Sequence, residues 1–149
     1  MSKFTFQPPV THIPGFTEYQ IGGTELYDKL VALGLKLPVG MLDSTYYYTD
    51  PTGWANVLSD LAFKSDLYKA EKFDCEDYAM KACVEVWERY GLNAFGLVIG
   101  DMPQGRHGFN ILYDGIGFLL FEPNAGFGYG GAFPINDNEH QYRPDQVVI

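Results

Sequence analysis

Apolar residues recur at helical spacing in three stretches of the chain. Thr24 can cap a helix that carries Leu26, Leu30 and Leu33 on one face, and Gly34 ends it. Asp50-Pro51-Thr52 announces a second helix over residues 52–63, with Trp54, Val57, Leu58 and Leu61 turned inward. The third is the clearest. Asp74 is a good N-cap, Asp77 follows three residues on in a variant of the capping box, and Ala79, Ala82, Cys83, Val86 and Tyr90 make one stripe that stops at Gly91. Small residues on that stripe let a sheet approach closely.

The period then shortens. Residues 94–99 form a brief apolar run that reads as a buried strand. Asp114-Gly115 is a preferred two-residue hairpin turn, and pairing Tyr113 with Ile116 sets residues opposite each other when their numbers sum to 229. His107 then faces Glu122, with Cβ atoms about 5 Å apart. Residues 45–49 read as a short strand or a loop, and the stretch from Asn124 to Ala132, rich in glycine and aromatics, as a loop before a last strand at 146–149. Pro8, Pro9 and Pro14 mark residues 1–21 as an extended arm lying on the domain. Helices first and a mostly antiparallel sheet after them predict one α+β domain over residues 1–149.

Composition narrows the classes of function. The chain has 149 residues, 46% hydrophobic, enough for one core. Its net charge of −9 repels phosphate backbones and attracts cations, which excludes nucleic acid as an expected partner. Cys75 and Cys83 on one helix would stand about 12 Å apart, too far for a disulfide, so two free thiols in a reducing compartment are expected. The first residues lack the apolar core of a signal peptide, and no run approaches a membrane span, which together predict a cytoplasmic protein.

Cys75, at a helix start, is where a thiolate is stabilised. His107 would take the thiol proton, Glu122 would orient the imidazole, and the Cys75 backbone N–H would be one oxyanion donor. Free cysteines are often simply buried, and Cys83 fits that ordinary role on the apolar stripe. His12 and His140 lie in polar or proline-rich stretches and read as solvated. No Cys or His pair shows zinc-ligand spacing. Asp74, Glu76 and Asp77 flank Cys75 and oppose thiolate formation. A hard dication such as Ca²⁺ would offset them, with Glu76, Asp77 and Asn124 as candidate ligands together with loop carbonyls. Tyr46, Tyr47, Tyr48, Phe127 and Tyr129 are candidates for an aromatic cleft.

The segments FDCEDYAMKA, GRHGFNILY and LLFEPNAGFGY resemble the C-terminal papain-like cysteine protease module of the Marasmius oreades agglutinin family, over about residues 35–129. Transglutaminase-like cysteine peptidases share a similar D-C-E-D-[YF]-A helix start. The resemblance implies a Cys75–His107–Glu122 triad, a papain-like fold and calcium dependence through Glu76, Asp77 and the stretch from Asn124. Two positions depart from the pattern: Glu76 stands for Asp and Asn124 for Gln. Lys69 occupies the place where papain carries an oxyanion-hole Gln. No lectin repeat is present, so sugar binding is not carried over. The expected function is hydrolysis of peptide or amide bonds in a peptide or protein substrate. The alternatives are a catalytically silent papain-like binding or dimerisation module, which allows a homodimer, and a transglutaminase-type amide transferase.

Overall fold

The computed structural model describes residues 15–59, 61, 65–127 and 132–149. In chain order these form β1 (Tyr19–Gly22), α1 (Gly23–Ala32), β2 (Thr45–Tyr48), α2 (Pro51–Leu58), α3 (Cys75–Tyr90), β3 (Phe95–Met102), β4 (Gly105–Tyr113), β5 (Phe118–Phe121), β6 (Ala132–Pro134) and β7 (Arg143–Val148). The last five strands make one antiparallel sheet in the order β6-β5-β4-β3-β7, and β1 pairs with β2 in a separate ribbon. The fold is α+β.

Alternation along the strands splits the core in two. Phe95, Leu112 and Phe121 turn toward α2 and α3 and pack with Trp54, Val57, Ala82, Cys83, Val86 and Tyr90. Val98, Phe109, Ile111, Leu120 and Val147 turn the other way, onto Leu26 and Leu30 of α1 and onto Tyr46. The small residues on the α3 stripe do what their size allows. Buried Ala79 and Ala82 let the helix lie close to β3 and β4, and the Asn110 amide reaches across to Ala79 O at 2.9 Å and Gly96 O at 3.1 Å.

Several boundaries differ from the expected ones for identifiable reasons. Helix α1 begins at Gly23 rather than after Thr24, because the Gly23 N–H is tied to Ser44 O at 2.7 Å; a Cβ there would stand 2.7 Å from Asp43 O. Helix α2 ends at Leu58, although Leu61 is still buried. The hairpin register is corrected. Asp114 Oδ1 accepts from the N–H groups of both Ile116 and Gly117 at 2.8 Å, so four residues rather than two form the loop, with Gly115 at φ +89°. Tyr113 therefore pairs with Phe118, and facing numbers sum to 231. Of the expected arm, residues 1–14 lie outside the described residues, while Tyr19–Gly22 is a strand paired with β2. The last strand starts at Arg143, three residues early.

Candidate functional site

The first turn of helix α3 lies against the start of β4, and the three residues singled out from the sequence gather there. Cys75 is the first residue of α3, behind the N-cap Asp74, whose N–H donates to Asp77 Oδ2 at 3.1 Å. The thiol donates to Glu76 Oε2 at 3.4 Å and accepts from the Gly108 N–H at 3.3 Å. That second contact requires glycine. A Cβ on Gly108 would lie 2.9 Å from Glu76 Cα and 3.0 Å from Glu76 N.

His107, one residue before, is buried and hydrogen-bonds both Cys75 and Glu122. Its Nε2 is 2.6 Å from Glu122 Oε2, which leaves Nδ1 for the thiol. Glu122 is fully buried, with the Asn124 N–H on Oε1 at 2.9 Å and the Tyr142 hydroxyl on Oε2 at 2.7 Å. Burial disfavours an imidazolium at this position. The hydrogen bonds to Cys75 and Glu122 outweigh it and carry His107 up to about 9. The arrangement can pass the thiol proton to the imidazole and steady negative charge on sulfur with a backbone N–H. Cys83 differs: burial pushes its thiol up to about 12, against the opposing hydrogen bond from Asn110, and it belongs to the core.

A cleft of about 230 Å³ opens over Cys75 and His107. Tyr68 and Phe127 supply its aromatic walls, Met102 an apolar one, and Gln104, Arg106 and Asn124 polar groups. Arg106 is anchored at the rim by a two-pronged ion pair with Asp145 and by Asp101 at 3.2 Å. Of the expected aromatics, only Phe127 lines this cleft among the described residues. Tyr46 is buried with its hydroxyl on Ile149 O at 3.0 Å, Tyr48 stacks on Tyr19, Tyr47 is exposed, and Tyr129 lies outside the described residues. Lys69 closes a turn through its N–H to Phe73 O at 2.7 Å and lines a separate depression with Asp66 and Lys72. His140 is not simply solvated. It stacks on Phe133 at 4.1 Å and its Nδ1 is 2.7 Å from Asp137, while His12 is outside the described residues.

The expected calcium ligands are distributed around this corner. Asp77 caps α3, and the Asn124 side chain accepts the Gly126 N–H at 2.9 Å while lining the cleft. The ligand atoms of Asp74, Cys75 and Glu76 lie within 4.8 Å of one another. Asp74 hydrogen-bonds Glu76, which raises the Asp74 carboxyl and lowers that of Glu76. Asp74 Oδ1 is buried without a hydrogen-bond partner, an oxygen that a hard cation would satisfy.

Tyr68, Gln104, Gly108 and Tyr142 carry no local signal in the sequence, and Gly-Arg-His opening a strand is a weak hint for Arg106.

No family profile and no curated protein sequence matches the chain. Solved structures do. The PSL1a-E64 complex matches with a TM-score of 0.64 at 19% identity over 87% of this chain and 50% of that one. The Polyporus squamosus lectin bound to a human-type influenza-binding epitope, Neu5Aca2-6Galb1-4GlcNAc, matches with a TM-score of 0.63 at 19% identity over 87% and 49%. The likeness is one of fold. This chain spans about half the length of those it matches. Their name is that of a lectin, and that finding corrects the expected assignment to a papain-like cysteine protease module of the Marasmius oreades agglutinin type. The hydrolase, thiol protease and amide-transferase readings, and the peptide or protein substrate they required, are corrected with it.

Proposed function

We propose that this chain is a binding module on a papain-like arrangement of helix and sheet, and that its ligand sits in the cleft over Cys75 and His107. The observation that carries the reading is a cleft formed at the junction of α3 and β4 on a chain that shares its fold with part of a lectin. Carbohydrate is the ligand class the lining suits. Tyr68 and Phe127 offer flat apolar faces, and Gln104, Arg106 and Asn124 offer hydrogen bonds beside them. Cys75, His107 and Glu122 are the proposed working residues at its floor: a thiol, an imidazole that exchanges a proton with it, and a carboxylate that orients the ring. Ca²⁺ is part of the proposal, with Asp74 and Glu76 next to Cys75, and the nearby Asp77 and Asn124, as the residues that would hold it; its chemistry there is to neutralise the acid pair.

The test is titration of the chain with Neu5Aca2-6Galb1-4GlcNAc and a panel of unsialylated glycans, with and without Ca²⁺, followed by amide chemical shifts. Perturbations centred on Phe127, Arg106 and His107, reduced by Phe127→Ala, support the reading. Glycans that perturb no resonance around the cleft would sink it.

A further inference from the structure

The carboxylate of Glu122 is held from three sides by groups far apart in sequence. His107 Nε2 and the Tyr142 hydroxyl share Oε2 at 2.6 and 2.7 Å, and the Asn124 N–H takes Oε1 at 2.9 Å. The terminal torsion of a glutamate is broad and roughly two-fold, and the second donor on Oε2 narrows it beyond what one donor per oxygen does.

Tyr142 is itself well fixed. Its ring meets Phe109 edge-on at 4.8 Å, Phe133 at 5.0 Å and the His107 ring at 5.7 Å. The chain leading to it is shaped by Asn136 and Gln141 in the left-handed region, at φ 61° and 60°, and by Asp137, which accepts the His140 N–H at 2.7 Å. Such conformations are sparsely populated for residues other than glycine and persist when the surroundings impose them. Here they deliver a hydroxyl to a buried acid.

We propose that Tyr142 is a positioning residue: its hydroxyl fixes the plane of the Glu122 carboxylate and, through it, the His107 ring, so that Nδ1 stays aimed at Cys75. The proposal deepens the reading of Cys75 and His107 as site residues and rests on it, but not on what ligand fills the cleft.

The test uses Tyr142→Phe, which keeps the ring and its packing and removes only the hydroxyl. A short His–Glu hydrogen bond should give the His107 Nε2–H a low-field, slowly exchanging proton resonance, identified by its loss in Glu122→Gln. In Tyr142→Phe that resonance should shift and broaden, and the ratio of Cys75 to Cys83 alkylation by iodoacetamide should fall several-fold, with the thermal melt still cooperative. Asp137→Ala, which loosens the loop ahead of Tyr142 without touching Glu122, should move the same resonance in the same direction. An unchanged resonance together with an unchanged alkylation ratio in Tyr142→Phe overturns the proposal. Native protein that binds no glycan while Tyr142→Phe still moves the resonance supports the positioning role and removes only the carbohydrate reading.

Discussion

His107 stands between a thiol and a buried carboxylate, with Phe109, Phe127 and Tyr142 around its ring. Its ordinary value of about 6.5 belongs to the unfolded chain, and in the fold it stands at about 9. The folded state therefore holds the proton more tightly, and the contribution to stability is complete below about pH 6.5 and is lost as pH rises through about 9. The size is at most roughly 3 kcal/mol for a shift of this order. Urea denaturation at pH 6 and pH 9.5 should show the native protein losing more stability than His107→Gln. Parallel pH dependences in the two proteins would show that the proton is not held by the fold. At this scale the sequence was partly legible. Cys75 announced itself through its helix start, and His107 and Glu122 through a count along a hairpin. Gly108 and Tyr142 were not, because their roles depend on contacts 33 and 20 residues away that no local pattern encodes.

The hairpin carries the instructive case among the elements. A two-residue turn was expected and a four-residue loop is present, yet His107 and Glu122 still meet, at 2.6 Å. The register moved by two, and side chains alternate with a period of two, so the same face was kept. Helix α3 was legible because its cap, stripe and terminal Gly91, at φ 67°, all act locally. Strand β6 was not, being three residues long and, among the described residues, paired only with β5 at the edge of the sheet. The contact of α3 with β4 gives a further expectation. Gly108→Ala must push the helix start off the strand, because the added methyl meets backbone rather than a yielding side chain. A cost of about 1–3 kcal/mol in urea denaturation is expected, together with loss of preferential Cys75 alkylation. Gly117→Ala, with open space around the added carbon, should change neither. Equal behaviour of the two variants would mean that the close approach at Gly108 is not what seats the thiol.

Across the whole molecule, one five-stranded sheet with helices on both faces brings three distant stretches to a single corner. Among the described residues no helix is long and apolar enough to cross a membrane. The net charge of −9 adds self-repulsion to the compact state, and the Asp74–Glu76 pair concentrates it at the site. Ca²⁺ should therefore raise the melting temperature beyond what NaCl of equal ionic strength achieves. At this chain length each kcal/mol of added stability is worth about 2–4 °C, and ligand at a hundred times its dissociation constant adds about 3 kcal/mol. Asp74→Asn should abolish the excess. A Ca²⁺ effect no larger than that of NaCl, or one that survives the substitution, would remove the ion from this corner. The α+β class was readable from element order; the division of the core between two sheet faces was not, since it needs the pairing partners as well as the alternation.

Cys83 lies on the sheet-facing side of α3 against Asn110, with 2% of its surface exposed and its thiol near 12. It can be reached only when helix and sheet part company. Every molecule thus contains a clock for that event: the slow arrival of label at Cys83 counts excursions of the fold, while Cys75 keeps time at the surface of the same chain.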